Sequence, residues 1–414
     1  MFNNLHIKSF LGAAIGAMLE YYDMILFIIF LPIIAPVFFG AGQAGITKGY
    51  WIFFITALAR PLGALCFGYI GDFLGRPKAL LSSMYGIALA TFIIGITPSY
   101  QHIGAWALVI VIAAKAVQTF CFGGEFNGAG IYVVEHAKPG KENSTGGYLS
   151  ALAISGSLFA SLFGIVITLG FMPVWSWRIA FIIGGIAGLL GIQFRKKMLE
   201  SPHFVPADEK RQTIWQLLKQ YPMELLAGFF VSGMGTVAYT TAVVFLNPLL
   251  LAKGLITTNE LMMLQTSLIV FSIVTLLVVA PVADRFGAQT VMKFASCLFL
   301  ASLPWLKLIS ADNALQIISL GFWLILLTEL FFTPVNAFFK NLFPMQFRYR
   351  GASFSSCLGM SILGGMTPMV ENYFYHRTGQ LYSGLLWIVL VAGLTLISLI
   401  TLSKRNSQVL ASEI

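Results

Sequence analysis

Two carboxylates, Glu20 and Asp23, stand three residues apart in LEYYDMILF, inside an apolar run from Phe10 to Phe39. On a helix this spacing puts them on one face, about 60° apart. A charge at the centre of a membrane helix costs roughly 2.5–3.5 kcal/mol, so two unpaired acids would cost on the order of 5–7 kcal/mol. Acids so placed pair with a base, take up a proton or face a cavity. Two bases sit in similarly apolar surroundings: Arg60 in a second run and Lys115 midway along a fourth. The chemistry on offer is proton exchange. Desolvation holds a carboxyl neutral and a neighbouring cation ionises it, so a cavity opening to alternate sides can load and release a proton. Asp23 is the first choice as proton carrier, with Lys115 as its switchable partner. Glu20 and Glu125 are alternatives, and a purely structural ion pair is the competing reading for each acid.

Other polar residues line up with these. The fourth run carries Lys115, Gln118, Phe122 and Glu125, within about 80° of the helix circumference. The tenth carries Glu329, Thr333, Asn336 and Lys340, and the seventh Thr236, Tyr239, Thr240 and Asn247. Polar stripes on apolar helices indicate a water-accessible interior. Arg60 or Lys115 would meet a substrate carboxylate, Arg in bidentate fashion. Tyr21, Tyr22, Gln118, Tyr239, Thr240, Glu329 and Asn336 would supply an aromatic wall and polar partners. Such a wall also suits a quaternary ammonium group.

These residues need long apolar elements to hold them. The chain has 414 residues, 58% hydrophobic and 10% charged, far less charge than a soluble protein carries. Continuous rather than alternating apolar runs of about 20 residues select helices over a barrel. Twelve spans are expected, at 10–39, 50–71, 79–98, 104–134, 145–171, 178–197, 223–251, 260–281, 290–309, 314–339, 351–371 and 381–402. The organisation is a six-helix bundle over 1–197, a cytoplasmic linker over 198–222 with a short surface helix at TIWQLLKQ, a second bundle over 223–403 and a tail over 404–414. Of the 25 Lys and Arg residues, 18 fall on the side of the termini, 5 on the other and 2 inside spans. That asymmetry puts both termini in the cytoplasm. The net charge of +9 therefore reflects basic loops, and nucleic acid is not an expected partner. Cys66, Cys121, Cys297 and Cys357 lie in apolar spans and read as reduced packing residues, with no metal site expected.

The halves repeat weakly. GYIGDFLGRPKAL follows the second span and APVADRFGAQTVM the eighth, matching Asp72 and Gly75 to Asp284 and Gly287. Paired halves suggest a transporter built from repeats. The first of these loops resembles the G-x-x-x-D-[RK]-x-G-[RK]-[RK] signature of the major facilitator superfamily. LEYYDMILF, ARPLGALCFGYIGD, FGGEFNGAGIYVVEHA, WSWRIAFIIGG, ESPHF, LFPMQFRYRG and GGMTP occur in the order found in its metabolite:proton symporter family. The resemblance covers nearly the whole chain, with departures at Phe73, Lys115, Asn341, Ala288 and Gln289. It implies the major facilitator fold of two pseudo-symmetric bundles, in a bacterial inner membrane. It supports the pairing of a first-helix Asp with a fourth-helix base. It also implies a cytoplasmic gate at Asp72, Gly75, Arg76 and Lys78, with Glu135 as ionic partner, and its counterpart at Asp284 and Arg285.

The expected function is proton-coupled uptake of a small organic acid or zwitterion by alternating access. The chain is expected to act as a monomer in the lipid bilayer, driven by the proton gradient without a cofactor. A proton-independent exchanger, an efflux carrier and a non-transporting sensor of the same fold are the alternatives. An intramembrane aspartyl protease needs a second Asp at the depth of Asp23, and Asp72 lies at the cytoplasmic edge, so no enzyme is expected.

Overall fold

The computed structural model describes residues 4–40, 42–74, 76–123, 126–169, 171–195, 214–345 and 347–412. The secondary structure of these residues is helical throughout. The first half holds α1 (Asn4–Ile29), α2 (Leu31–Phe38), α3 (Gly42–Ala57), α4 (Ala59–Leu74), α5 (Arg76–Ile96), α6 (Tyr100–Ile103), α7 (Ala105–Gly123), α8 (Phe126–Glu135), α9 (Glu142–Ile167) and α10 (Trp177–Arg195). A short helix, α11 (Ile214–Gln220), precedes the second half. That half holds α12 (Pro222–Thr240), α13 (Asn247–Ala252), α14 (Thr258–Phe286), α15 (Ala288–Ala301), α16 (Leu303–Leu306), α17 (Ala314–Leu342), α18 (Arg348–Gly359), α19 (Gly365–Thr378) and α20 (Leu381–Ser412). π-helical segments, Thr241–Leu246 and Met360–Gly364, join α12 to α13 and α18 to α19.

The packing pairs reveal the repeat. In the first half α1 packs on α9 and α10, α5 on α10 and α7, and α4 on α7. In the second, α12 packs on α18 and α20, α15 on α20 and α17, and α14 on α17. The same pattern relates the halves across their seam, where α9 meets α14 and α4 meets α18. Each half has its own apolar centre, around Leu26, Phe30 and Phe181 in one and Phe245, Phe299 and Phe331 in the other. The outside is apolar too: Leu62, Leu190, Val278 and Ile397 are exposed. Helices that satisfy their own backbone and present apolar side chains on both sides fit a lipid solvent.

Among the described residues nine helical rods are long and apolar enough to cross a membrane, and Trp177–Gln193 is apolar but shorter. The expected first span, 10–39, is not one helix. It breaks at Phe30, and α2 starts with a proline in its first turn and holds Pro36. A proline there lacks the N–H that would continue the ladder. At the expected eleventh span, α18, the π-helical segment and α19 run together from Arg348 to Thr378, past the expected end at 371. The outer turns, ENYFYHRT, are polar, so an apolar window stops short of them.

Candidate functional site

Between the halves lies a cavity of about 140 Å³. Tyr21, Met24, Arg60 and Phe122 form one wall, and Tyr239, Thr240, Ser272, Glu329, Phe332 and Met360 the other. Most of the lining is apolar or aromatic, which makes its two charged side chains conspicuous.

Arg60 comes from the first turn of α4. Gly123 of α7 lies against its carbonyl, and a Cβ there would collide with that oxygen. The missing side chain lets α4 and α7 meet backbone to backbone, which fixes where the arginine starts. Its guanidinium passes over the Phe122 ring, 4.9 Å from the centroid. Among the described residues its terminal nitrogens reach only sulfur, Met360 Sδ at 3.6 Å and Met24 Sδ at 3.9 Å. Thioethers are weak acceptors. Nε has no hydrogen-bond partner among the described residues, and the residue is 8% exposed. The site thus holds a buried cation whose bonding capacity is nearly unused.

Glu329 faces the cavity from α17 in the other half. Its Oε1 accepts a hydrogen bond from the Ser272 hydroxyl of α14. Its Oε2 has no partner among the described residues. Tyr21, stacked edge-on to Phe122 at 6.0 Å, lies close enough to sense both Arg60 and Glu329.

Five expected substrate contacts, Arg60, Tyr21, Tyr239, Thr240 and Glu329, line this cavity. Lys115, Tyr22, Gln118 and Asn336 sit behind its walls. Tyr22 turns away and donates to the Ala180 carbonyl of α10, 2.9 Å away. Asn336 lies at the seam, where a side chain on Gly130 would strike its amide.

The expected direct pair of Asp23 and Lys115 is replaced by a relay. The Lys115 ammonium donates to Gln118 Oε1 at 2.7 Å and to the Met24 carbonyl at 3.3 Å, over the face of Phe27. Gln118 Nε2 donates to the Asp23 carbonyl at 3.1 Å and to the Thr91 hydroxyl at 2.8 Å. Gln118 intervenes because it lies one turn from Lys115 on the same helix and faces the α1 backbone. The Asp23 carboxylate points instead at α10, where Gly184 and Gly188 leave room for it. Its Oδ1 has no partner among the described residues. Glu20 is buried, 3% exposed. Gly75 and Glu125, with the side chains of Asp72 and Arg76, lie outside the described residues.

One end of the bundle is held shut by polar contacts between the halves. Arg348, the first residue of α18, pairs with Glu135 at the end of α8, 3.2 Å apart. Lys340 pairs with Glu142 at 3.5 Å. Asp284 Oδ1, from α14, accepts the backbone N–H groups of Asn143 (2.9 Å) and Ser144 (3.2 Å) at the start of α9, where the helix dipole favours an anion. Arg285 lies over Phe286, and Lys78 is exposed.

Sequence reasoning passed over Ser272, Phe332, Met360 and Glu371. The first three are ordinary residues on apolar helices, and only the neighbouring helix reveals which way they face. Glu371 is the last residue of the expected span 351–371.

The architecture and site are those of a membrane carrier with two matched bundles around a central pocket. Residues 13–255 match the profile of the Major Facilitator Superfamily, and the chain belongs to that superfamily; its relatives are transporters rather than enzymes. It is 29% identical over 394 residues to a proline/betaine transporter assigned in Staphylococcus haemolyticus, covering 91% of this chain and 83% of the relative. It is 28% identical over 414 residues to the citrate-proton symporter of Klebsiella pneumoniae, covering 97% and 93%. The fold matches the proton:xylose symporter XylE bound to 6-bromo-6-deoxy-D-glucose with a TM-score of 0.76, at 14% identity over 97% of this chain and 95% of the other.

Proposed function

We infer that the chain is a twelve-span symporter of a bacterial inner membrane, with both termini cytoplasmic, that carries a small zwitterion together with protons. The observation that supports this most is the pair of opposite charges facing one cavity from opposite halves. Arg60 offers an unused guanidinium to a carboxylate, and Glu329 offers a free Oε2 to an ammonium group. Tyr21, Tyr239, Phe122 and Phe332 form an aromatic wall that favours a cation between them. A substrate bridging the two charges would draw the halves together, which is the step alternating access requires. The relatives named for proline/betaine and for citrate with protons agree with a small charged substrate and a proton partner. Asp23 is the proposed proton carrier, its backbone carbonyl tied through Gln118 to Lys115, and the monomer is the proposed unit.

Glu329 supports a second reading. Its burial with a single hydroxyl partner also suits a proton carrier for a purely anionic substrate. The purified protein in liposomes decides between them. Uptake is measured under an imposed pH gradient for proline, betaine, citrate, 2-oxoglutarate and shikimate. The zwitterion reading expects gradient-driven uptake of proline or betaine, and loss of binding in Glu329→Gln. Uptake of the acids alone, with binding retained and accumulation lost in Glu329→Gln, selects the second reading. Substrate exchange unaffected by the gradient removes proton coupling from both.

A further inference from the structure

A third acid lies where neither the cavity nor the polar latch uses it. Glu371, on α19, has no solvent exposure. Its Oε1 accepts the Thr241 hydroxyl at 2.6 Å, and Oε2 has no partner among the described residues. Thr241 begins one π-helical segment, and Glu371 follows the other by about two turns. Such segments interrupt the regular ladder and are frequent at functional sites. α19 packs on α12, α20, both π-helical segments and α3 of the opposite half. Glu371 is therefore at a seam between halves, at the end of the bundle away from Glu135 and Arg348.

The groups around it supply no counter-charge. α3 brings Tyr50, buried and close enough to sense the carboxylate. α20 brings Gly384, which admits the Glu371 backbone. Tyr239 of α12 turns into the cavity instead. One turn outward on α19 is Tyr375, whose ring lies 5.8 Å from the Lys253 ammonium, itself held by Asp312 at 2.5 Å. Among the described residues no cation forms an ion pair with Glu371.

We propose that Glu371 is a second proton-binding site, separate from the Asp23 region, whose protonation holds the α3–α19 seam closed. With the proton on, the carboxyl is neutral and α3 lies against α19. When the proton passes to water at that end of the bundle, the carboxylate draws in solvent and the seam parts. The purpose of such a site rests on the proton-coupled reading above, but its test does not.

The experiment uses purified full-length protein in nanodiscs without substrate. Infrared spectra follow the C=O band of protonated carboxyl groups as pH is raised. Hydrogen exchange follows the amides of α3 and α19, corrected for the intrinsic effect of pH. The wild type should lose a band component with rising pH, and exchange at the seam should accelerate by up to about tenfold per pH unit through that titration. Glu371→Gln should lack the component and show pH-independent exchange at the seam. Glu371→Asp keeps an acid and should retain both effects with a shifted midpoint, which guards against a folding defect in the amide variant. A band unchanged in Glu371→Gln, or seam exchange with the same pH response in both proteins, overturns the proposal. Since no substrate is present, failure of the transport reading would leave this result standing.

Discussion

Arg60 is the residue on which the proposed substrate recognition turns. Its guanidinium is buried against two sulfurs and a ring, none of which satisfies a cation's donors. A carboxylate arriving there gains charge-assisted, two-pronged hydrogen bonds at a buried, largely apolar site. Arg60→Lys keeps the charge but loses the planar fork. Apparent affinity should fall about 10–100-fold in the lysine variant, corresponding to about 1.4–2.8 kcal/mol, with overall fold unchanged. Calorimetric binding of the transported substrate checks this, and equal affinity in the two proteins would remove Arg60 from the site. The sequence exposed Arg60 and Glu329 because a charge in an apolar span is conspicuous whatever its orientation. It could not separate Tyr21 from Tyr22, since neighbours on a helix point about 100° apart and only the packing of α10 shows that Tyr22 faces away. The relay through Gln118 was equally hidden. Spacing put Lys115 and Gln118 on one face, but which of them reaches α1 depends on the approach of two helices.

At the scale of elements, the ion pair between α8 and α18 is the proposed latch for the shut end of the cavity. The Arg348 and Glu135 side chains are 17% and 2% exposed, so their pairing is less screened than a surface salt bridge. Removing one partner leaves the other charge half-buried and unsatisfied, a loss of about 1–3 kcal/mol. Glu135→Gln should therefore shift the population toward opening at this end. Double electron–electron resonance between spin labels on this end of the two halves should show a longer distance gaining weight. An unchanged distance distribution in Glu135→Gln would show that the pair does not set the equilibrium. Glu135 was expected as an ionic partner of the Asp72–Arg76 loop, whereas its partner Arg348 stood in the sequence only as one of many bases. The Asp284 contact to the start of α9 was legible as half of a repeated loop, whereas its partners were not, because backbone N–H groups carry no sequence signal. The π-helical segments were invisible for a related reason: one extra residue in a turn barely disturbs an apolar pattern.

For the whole molecule, the proposed cycle has the two halves move as alternatives about the cavity, with the proton tying that motion to energy. The repeat of packing pairs in the halves, and its recurrence at α9–α14 and α4–α18, lets one set of contacts open as the other closes. Asp23 stands behind the cavity wall, its carboxylate against Gly184 and Gly188 of α10 and its backbone carbonyl held by Gln118, which also holds Lys115. A proton bound there changes a charge inside the first bundle without touching the substrate, which separates coupling from recognition. One pH unit is worth about 1.4 kcal/mol, so one proton per substrate allows about tenfold accumulation per unit of gradient for a substrate with no net charge and no membrane potential. Asp23→Asn fixes the site in a neutral form and cuts that link. In liposomes the variant should bring the substrate only to equal concentrations on both sides, while exchange of labelled for unlabelled substrate continues at a measurable rate. Accumulation that still follows the pH gradient in Asp23→Asn would move the coupling role to another acid, and loss of exchange together with accumulation would make Asp23 a structural residue instead.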